Sequence, residues 1–237
     1  MTDIRLSLAV EAGVFAVPET GTILVLRPHA GADLSALPKE RVRIVQGFRP
    51  DYDAFAAAGY AVSPEPESRH DAAIVVLPRA RVEGRALIAA AVASLPVGAP
   101  VAIDGARTDG IEGILRELRG RVTVGEVISK AHGKIFAFAA PETSVFADWQ
   151  AQPTVLADGS VTLPGIFSAD GPDPGSELLA ASLPEKLSGF GADLGAGWGY
   201  LARAVLTRPG IRQLDLIEAE HMALDCARRN VSDPRAT

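Results

Sequence analysis

One cysteine, Cys226, among 237 residues leaves no partner for an intramolecular disulfide and no material for a Cys-cluster zinc site. The four histidines, His29, His70, His132 and His221, are scattered, with no local pair at metal-ligand spacing, so no metal is expected. No window approaches the roughly 18 consecutive apolar residues that a membrane helix needs. The richest run, residues 86–95, is about half that length and is followed by Pro96. The N-terminus carries an early acid, Asp3, and no apolar core of signal-peptide length. Excess positive charge is also missing: 23 Lys+Arg face 29 Asp+Glu, for a net charge of −6, and the acidic excess is weak in both halves. A bulk basic field for nucleic acid is therefore absent, and an RNA would have to be engaged by a local patch. These absences predict a cytoplasmic, reduced-thiol protein without a membrane partner; a monomer is expected, although nothing in the sequence identifies the oligomeric state.

What is present is apolar material, 48% of residues, but only 5% aromatic. At about 100–200 residues per domain, the length predicts one large or two modest domains. Residues 22–26, 42–45, 72–77 and 100–103 read as short buried strands. A helix capped by Asp51 is expected up to Gly59, and another over residues 84–95. Ile111, Ile114, Leu115 and Leu118 share one helical face, with Asp109 placed to cap its start and Gly120 its end. Residues 122–128 and 134–140 look like a hairpin around Ala131-His132-Gly133. Such alternation predicts a mostly parallel sheet covered by helices on both faces, with an antiparallel edge.

A stretch with five prolines, Pro141 to Pro174, reads as a linker and loop, which places a boundary near residue 150: domains 1–150 and 151–237. After it come a helix over residues 177–183, a strand over 190–194, a glycine loop, a helix over 200–207, a strand over 213–217 and a helix over 220–229 with Asn230 as its C-terminal cap. The second domain is thus read as β-α-β-α, half of a doubly wound sheet.

The informative segment is Asp193-Leu194-Gly195-Ala196-Gly197-Trp198-Gly199. Alternating glycines between a strand and a helix let backbone approach a ligand closely, and the helix behind them turns its free N–H groups toward it. Glu218, at the tip of the next strand, can accept hydrogen bonds from both ribose hydroxyls of a nucleoside cofactor. Residues 197–202 also satisfy the dinucleotide G-x-G-x-x-G/A pattern, so an NAD-dependent oxidoreductase remains an alternative. Asp193 weighs against it: a carboxylate beside the loop repels a pyrophosphate but attracts the ammonium of a methionine moiety.

Asp-x-Gly-x-Gly-x-Gly followed by an acid at the end of the next strand resembles the class I S-adenosylmethionine-dependent methyltransferases. The upstream run from Thr162 to Leu179, with Leu163-Pro164-Gly165-Ile166-Phe167-Ser168 and Asp173-Pro174-Gly175-Ser176-Glu177-Leu178-Leu179, is similar to the approach segment of the bacterial ribosomal RNA guanine-N2 methyltransferases that include the small-subunit enzyme C. The resemblance implies an α/β fold of two tandem Rossmann-like methyltransferase modules, the first degenerate and the second incomplete. It implies S-adenosyl-L-methionine as cofactor, lined by Asp193, Gly195, Ala196, Gly197 and Gly199 with Glu218 on the ribose. It also implies that Phe167, Asp173, Gly175 and Ser176 close over the methionine end, and that the partner is ribosomal RNA or the small ribosomal subunit. Asp173 and Ser176 serve equally well as caps for the helix that follows, and Phe167 as packing.

In the first module, residues 24–31 stand where the glycine loop would be, with Gly31 alone, and Val76-Leu77-Pro78-Arg79 stands where the catalytic loop would be, without its asparagine. Family members transfer the methyl group with an Asn-Pro-Pro-Phe loop that orients the guanine amino group and stacks the base. This sequence has one asparagine, Asn230, and no such loop. The expectation is a truncated chain with no catalytic residue of its own and little or no transferase activity. A non-catalytic RNA-binding role for the first module, using Arg116, Arg119, Arg121, Lys130, His132 and Lys134, is the remaining alternative.

Overall fold

In the computed structural model, which describes residues 4–66 and 69–237, the chain forms two units, Met1–Gln150 and Ala151–Thr237. The first unit begins with a helix, α1 (Arg5–Glu11), followed by β1 (Ile23–Leu26), β2 (Val42–Val45), α2 (Arg49–Ala57), β3 (Ala61–Ser63), β4 (Ala72–Val76), α3 (Arg81–Ala93), β5 (Pro100–Ala106), α4 (Ile111–Arg119), β6 (Val127–Lys130) and β7 (Gly133–Ala139). The strands build one sheet in the order β3-β2-β1-β4-β5-β7-β6. The first five are parallel, and β7 runs antiparallel between β5 and β6.

All four residues of β1 are buried, as a central parallel strand covered on both faces requires. Alternate side chains serve the two faces. Leu24, Leu26, Val75 and Ile103 pack with Ile88 and Val92 of α3 and Ile114 and Leu118 of α4. Ile23, Val25, Ile74 and Ala102 pack with Leu6 and Ala9 of α1 and Phe55 of α2. After β1 there is neither a glycine loop nor a helix: Arg27 takes a positive φ of 58°, and an irregular loop buries Leu34 and Leu37 before a 3-10 turn, Lys39–Arg41.

Several sequence expectations need correction. α2 starts at Arg49 behind an uncapped Phe48. Asp51 does not cap it but accepts the amide of Ala30 at 3.0 Å, pinning the loop after β1. Asp109 accepts the Ala106 amide at 3.1 Å and closes a 3-10 turn, while Gly110, with φ of 77°, stands at the start of α4. The hairpin's first strand begins at Val127, not Val122. The stretch after Pro141 is not all linker, because Thr143–Trp149 forms 3-10 turns kinked at Phe146, and Phe146 and Trp149 belong to the first unit's core. Neither α1 nor β3 was anticipated.

The second unit has a two-residue hairpin, β8 (Thr154–Val155) with β9 (Val161–Thr162), then α5 (Pro174–Ser182), β10 (Ser188–Leu194), α6 (Tyr200–Leu206), β11 (Gly210–Ile217) and α7 (His221–Asn230). β10 and β11 are parallel. The final residues add to this: the Leu214 amide donates to Arg235 O and the Leu216 amide to Thr237 O, both at 2.8 Å, and Leu214 and Ala236 form a parallel bridge. The β-α-β-α reading, with the expected helix before it, is thus extended by a hairpin and by a tail paired with β11. The order β10, β11, tail repeats β1, β2, β3. In the first unit β1 has β4 on its other side; among the described residues β10 pairs with β11 alone.

Candidate functional site

Residues 195–199 turn sharply between the C-terminal end of β10 and the first turn of α6. Gly195, Gly197 and Gly199 have φ values of 77°, 55° and 92°, which L side chains rarely adopt. A Cβ on Gly195 or Gly197 would meet open space, so these two leave bare backbone facing outward. A Cβ on Gly199 would lie 2.6 Å from Val231 Cγ2, so this glycine instead lets the end of α7 pack against the loop.

The loop is tied down group by group. Ile217 O accepts the amides of Gly195 and Ala196 at 2.8 and 3.1 Å, and Ala196 O accepts the amide of Gly199 at 2.9 Å. Glu218 reaches across from the end of β11: its Oε2 accepts the Gly197 amide at 2.8 Å. Its Oε1 accepts the amides of Ala219 and Glu220 at 2.7 and 2.9 Å. The carboxylate is therefore aimed into the glycine loop and held there by the amides of the two residues that follow it.

Asp193 lies beneath the same loop. Burial pushes its carboxyl above the usual aspartate range, the amide of Ala202 on α6 partly offsets this, and the neighbouring Glu218 charge adds to the rise. Asp193 Oδ2 is buried without a hydrogen-bond partner. A buried acceptor left unmatched beside exposed glycine backbone is a position for a cationic donor.

The approach segment meets the loop at Trp198. This buried indole donates to Ser168 O at 3.2 Å and packs with Ile166, Ala223 and Cys226. Ser168 takes a positive φ of 53° there. Phe167 beside it is 71% exposed, so it is not packing within the unit. Asp173 caps α5, accepting the amides of Gly175 and Ser176 at 3.0 and 3.4 Å and the Ser176 hydroxyl, and that hydroxyl holds its carboxyl below the usual range. The structure thus brings Asp193, Gly195, Ala196, Gly197, Gly199 and Glu218 together, whereas the hydrogen bonds of Asp173, Gly175 and Ser176 stay within the first turn of α5.

Sequence reasoning missed the work of Asn230. It is the last residue of α7, with Val231 rather than Asn230 in the cap position; its Oδ1 accepts the Val161 amide at 2.7 Å, and its Nδ2 donates to Val161 O and Trp198 O, both at 2.9 Å. Its being the sole asparagine was the available signal. In the first unit, two members of the candidate basic stretch are engaged in the fold: Arg121 is paired with Asp148 at 2.6 Å and lies over the Trp149 ring, and Lys134 pairs with Glu112 at 3.4 Å. No helix among the described residues is long and apolar enough to cross a membrane.

The family profile of the methyltransferase small domain matches residues 159–237. The ribosomal RNA small subunit methyltransferase C of Aeromonas hydrophila is 30% identical over 173 residues, covering 69% of this chain and 50% of that protein. Its counterpart from Idiomarina loihiensis is 28% identical over 219 residues, covering 86% of this chain and 61% of that protein. The chain spans about half the length of the curated relatives it matches. Among solved structures, an N2 methyltransferase of 16S rRNA (RsmC) from T. thermophilus, in complex with AdoMet and guanosine, superposes with a TM-score of 0.72 at 19% identity, covering 96% of this chain and 66% of that one. Residues 159–237 are thus similar to the methyltransferase small domain, and most of the chain is similar to part of the ribosomal RNA small subunit methyltransferase C proteins.

Proposed function

We propose that this chain supplies the S-adenosylmethionine-binding part of a methyltransferase acting on the exocyclic N2 of a guanine in small-subunit ribosomal RNA. The observation that carries the reading is the Glu218 carboxylate seated on the Gly197 amide at 2.8 Å, beside two glycines whose outward side is open. In this reading the ribose hydroxyls of the cofactor take over Glu218 Oε2, and the backbone of Gly195, Ala196 and Gly197 lies against the nucleoside. Asp193 Oδ2 receives the ammonium of the methionine moiety, which supplies the missing partner for that atom. Phe167, Asp173, Gly175 and Ser176 are assigned by resemblance to the methionine end; the exposure of Phe167 leaves it free to cover a ligand.

The first unit is assigned as a degenerate methyltransferase module that helps position RNA. Its support is internal: β1, β2 and β3 are repeated by β10, β11 and the tail, while the turn after β1 has lost the glycines and the helix that follow β10. No residue of the chain is assigned to methyl transfer itself, since no Asn-Pro-Pro-Phe loop is present in the sequence.

Equilibrium titration of the purified chain with S-adenosylmethionine and with NADH tests the cofactor assignment. Saturable binding of S-adenosylmethionine is expected, weakened at least about tenfold in Glu218→Gln, which keeps the shape but loses a charged acceptor. Binding of NADH in its place, or an unchanged affinity in the variant, would overturn it.

A further inference from the structure

Glu218 and Asn230 both hold backbone groups of the glycine loop, and they differ in what a ligand does to them. Glu218 holds the Gly197 amide, but the same oxygen is the one a ribose would claim. Asn230, at the end of α7, holds a carbonyl of the same loop, Trp198 O. Its amide is fully used: both N–H groups donate and the oxygen accepts. By taking both the N–H and the C=O of Val161, the side chain docks on β9 as the peptide of a neighbouring strand would. The third bond joins that strand to the glycine loop.

The chemistry selects asparagine. Two carbonyls need donors and one N–H needs an acceptor, which neither an aspartate nor an aliphatic residue of similar size can supply. The orientation of the amide is fixed by the same pattern, because a flipped amide would face both carbonyls with oxygen.

We propose that Asn230 is a positioning residue for the cofactor site: it holds the glycine loop in its open-faced shape and in register with the approach segment after β9. When the cofactor displaces Gly197 from Glu218, Asn230 still holds the loop backbone, while the Trp198 indole still donates to Ser168 O. The proposal rests on the assignment of the loop to S-adenosylmethionine, but the tether itself is visible without cofactor.

The test compares the full chain with Asn230→Ala, Asn230→Asp and a control, Leu206→Ala, which removes buried side chain from the α6 core without touching the loop. Two readouts are taken: affinity for S-adenosylmethionine, and the indole N–H resonance of Trp198 in a 15N spectrum, assigned by Trp198→Phe. Asn230→Ala is expected to shift the Trp198 resonance, leave that of Trp149 in place and weaken binding about tenfold. Asn230→Asp should be worse, since a carboxylate faces two carbonyls. Leu206→Ala should lower Tm yet keep both the resonance and the affinity. Wild-type affinity and an unmoved Trp198 signal in Asn230→Ala would overturn the proposal, as would an equal loss of affinity in the control. If the wild-type chain binds no S-adenosylmethionine, the cofactor assignment fails, and the Trp198 resonance alone still decides the tether. Should Asn230→Ala not fold, Asn230→Ser, which keeps one donor and one acceptor, replaces it with the same expected direction.

Discussion

Three glycines in one loop do different work, and substitution separates them. At Gly195 and Gly197 an added methyl meets no atom, so alanine costs only the left-handed backbone, about 1–2 kcal/mol. The same methyl fills the bare surface assigned to the cofactor. Gly197→Ala should therefore fold with a modest loss of Tm and bind S-adenosylmethionine at least about tenfold more weakly. Gly199→Ala adds a 2.6 Å encounter with Val231 to the backbone strain, and the expected loss is about 2 kcal/mol or more, read by denaturant unfolding. Equal stability losses in the two variants would contradict this assignment of roles. Asp193 shows the opposite trade. Its carboxyl titrates higher when folded than in the unfolded chain, so its contribution is favourable only when protonated and turns into a penalty as pH rises through the folded value. Asp193→Asn should raise the Tm of the cofactor-free protein at pH 7, and the gain should vanish as pH falls below the ordinary aspartate range. The variant should also lose affinity for S-adenosylmethionine, because the ammonium has lost its counter-charge. A Tm that does not rise at pH 7 would sink the burial argument.

At the scale of elements, what the sequence made legible was long or punctuated. The all-buried β1, the 3.6-period face of α4, the glycine bend and the acid at the end of β11 each carry their signal within a few neighbouring residues. What escaped depends on partners far along the chain. Seven-residue α1 has no side-chain cap, and its Arg5 is buried because Asp104 meets it through bonds of 2.5 and 2.9 Å, ninety-nine positions away. Three-residue β3 exists because β2 offers it an edge. The cap assigned to Asp51 failed because a tertiary bond to Ala30 outweighed the local one. The tail strand is of the same kind. It is clamped by Arg235, whose guanidinium donates to Leu206 O at 2.5 Å, Arg208 O at 3.1 Å and Ile211 O at 3.2 Å while paired with Asp233. That pairing holds the Asp233 carboxyl down at about 2. Its contribution is present above the ordinary aspartate value and lost only as pH falls through about 2, so the tail should stay docked across mildly acidic conditions. Arg235→Ala removes the clamp. Amide exchange at Leu214, Leu216 and Thr237 should then accelerate at least about tenfold while the amides of β1 and β4 are unchanged. Unaltered exchange at those three sites would mean that the strand pairing does not need the arginine.

At the scale of the whole chain, the proposed function assigns residues to the cofactor and none to the base. Methyl transfer to a guanine amino nitrogen needs acceptors for its N–H bonds and a surface on which the extruded base can stack, with water excluded. The sole asparagine, Asn230, has both donors and its acceptor committed to Val161 and Trp198. The face of β10 that carries Phe190 and Leu194 is open, with these side chains 74% and 75% exposed, whereas Leu24 and Leu26 of β1 are buried beneath a covering layer. An open apolar strand face gives no wall for a reacting base and exposes the sheet to association. The 237-residue polypeptide should therefore bind S-adenosylmethionine yet transfer no methyl group above background to small-subunit ribosomal RNA, free or assembled. The measurement is incorporation of labelled methyl at saturating cofactor, run beside Glu218→Gln as the blank. Incorporation well above that blank would place an acceptor for the guanine amino group among residues to which no such role is assigned, and would make the open face of β10 the first place to look for it.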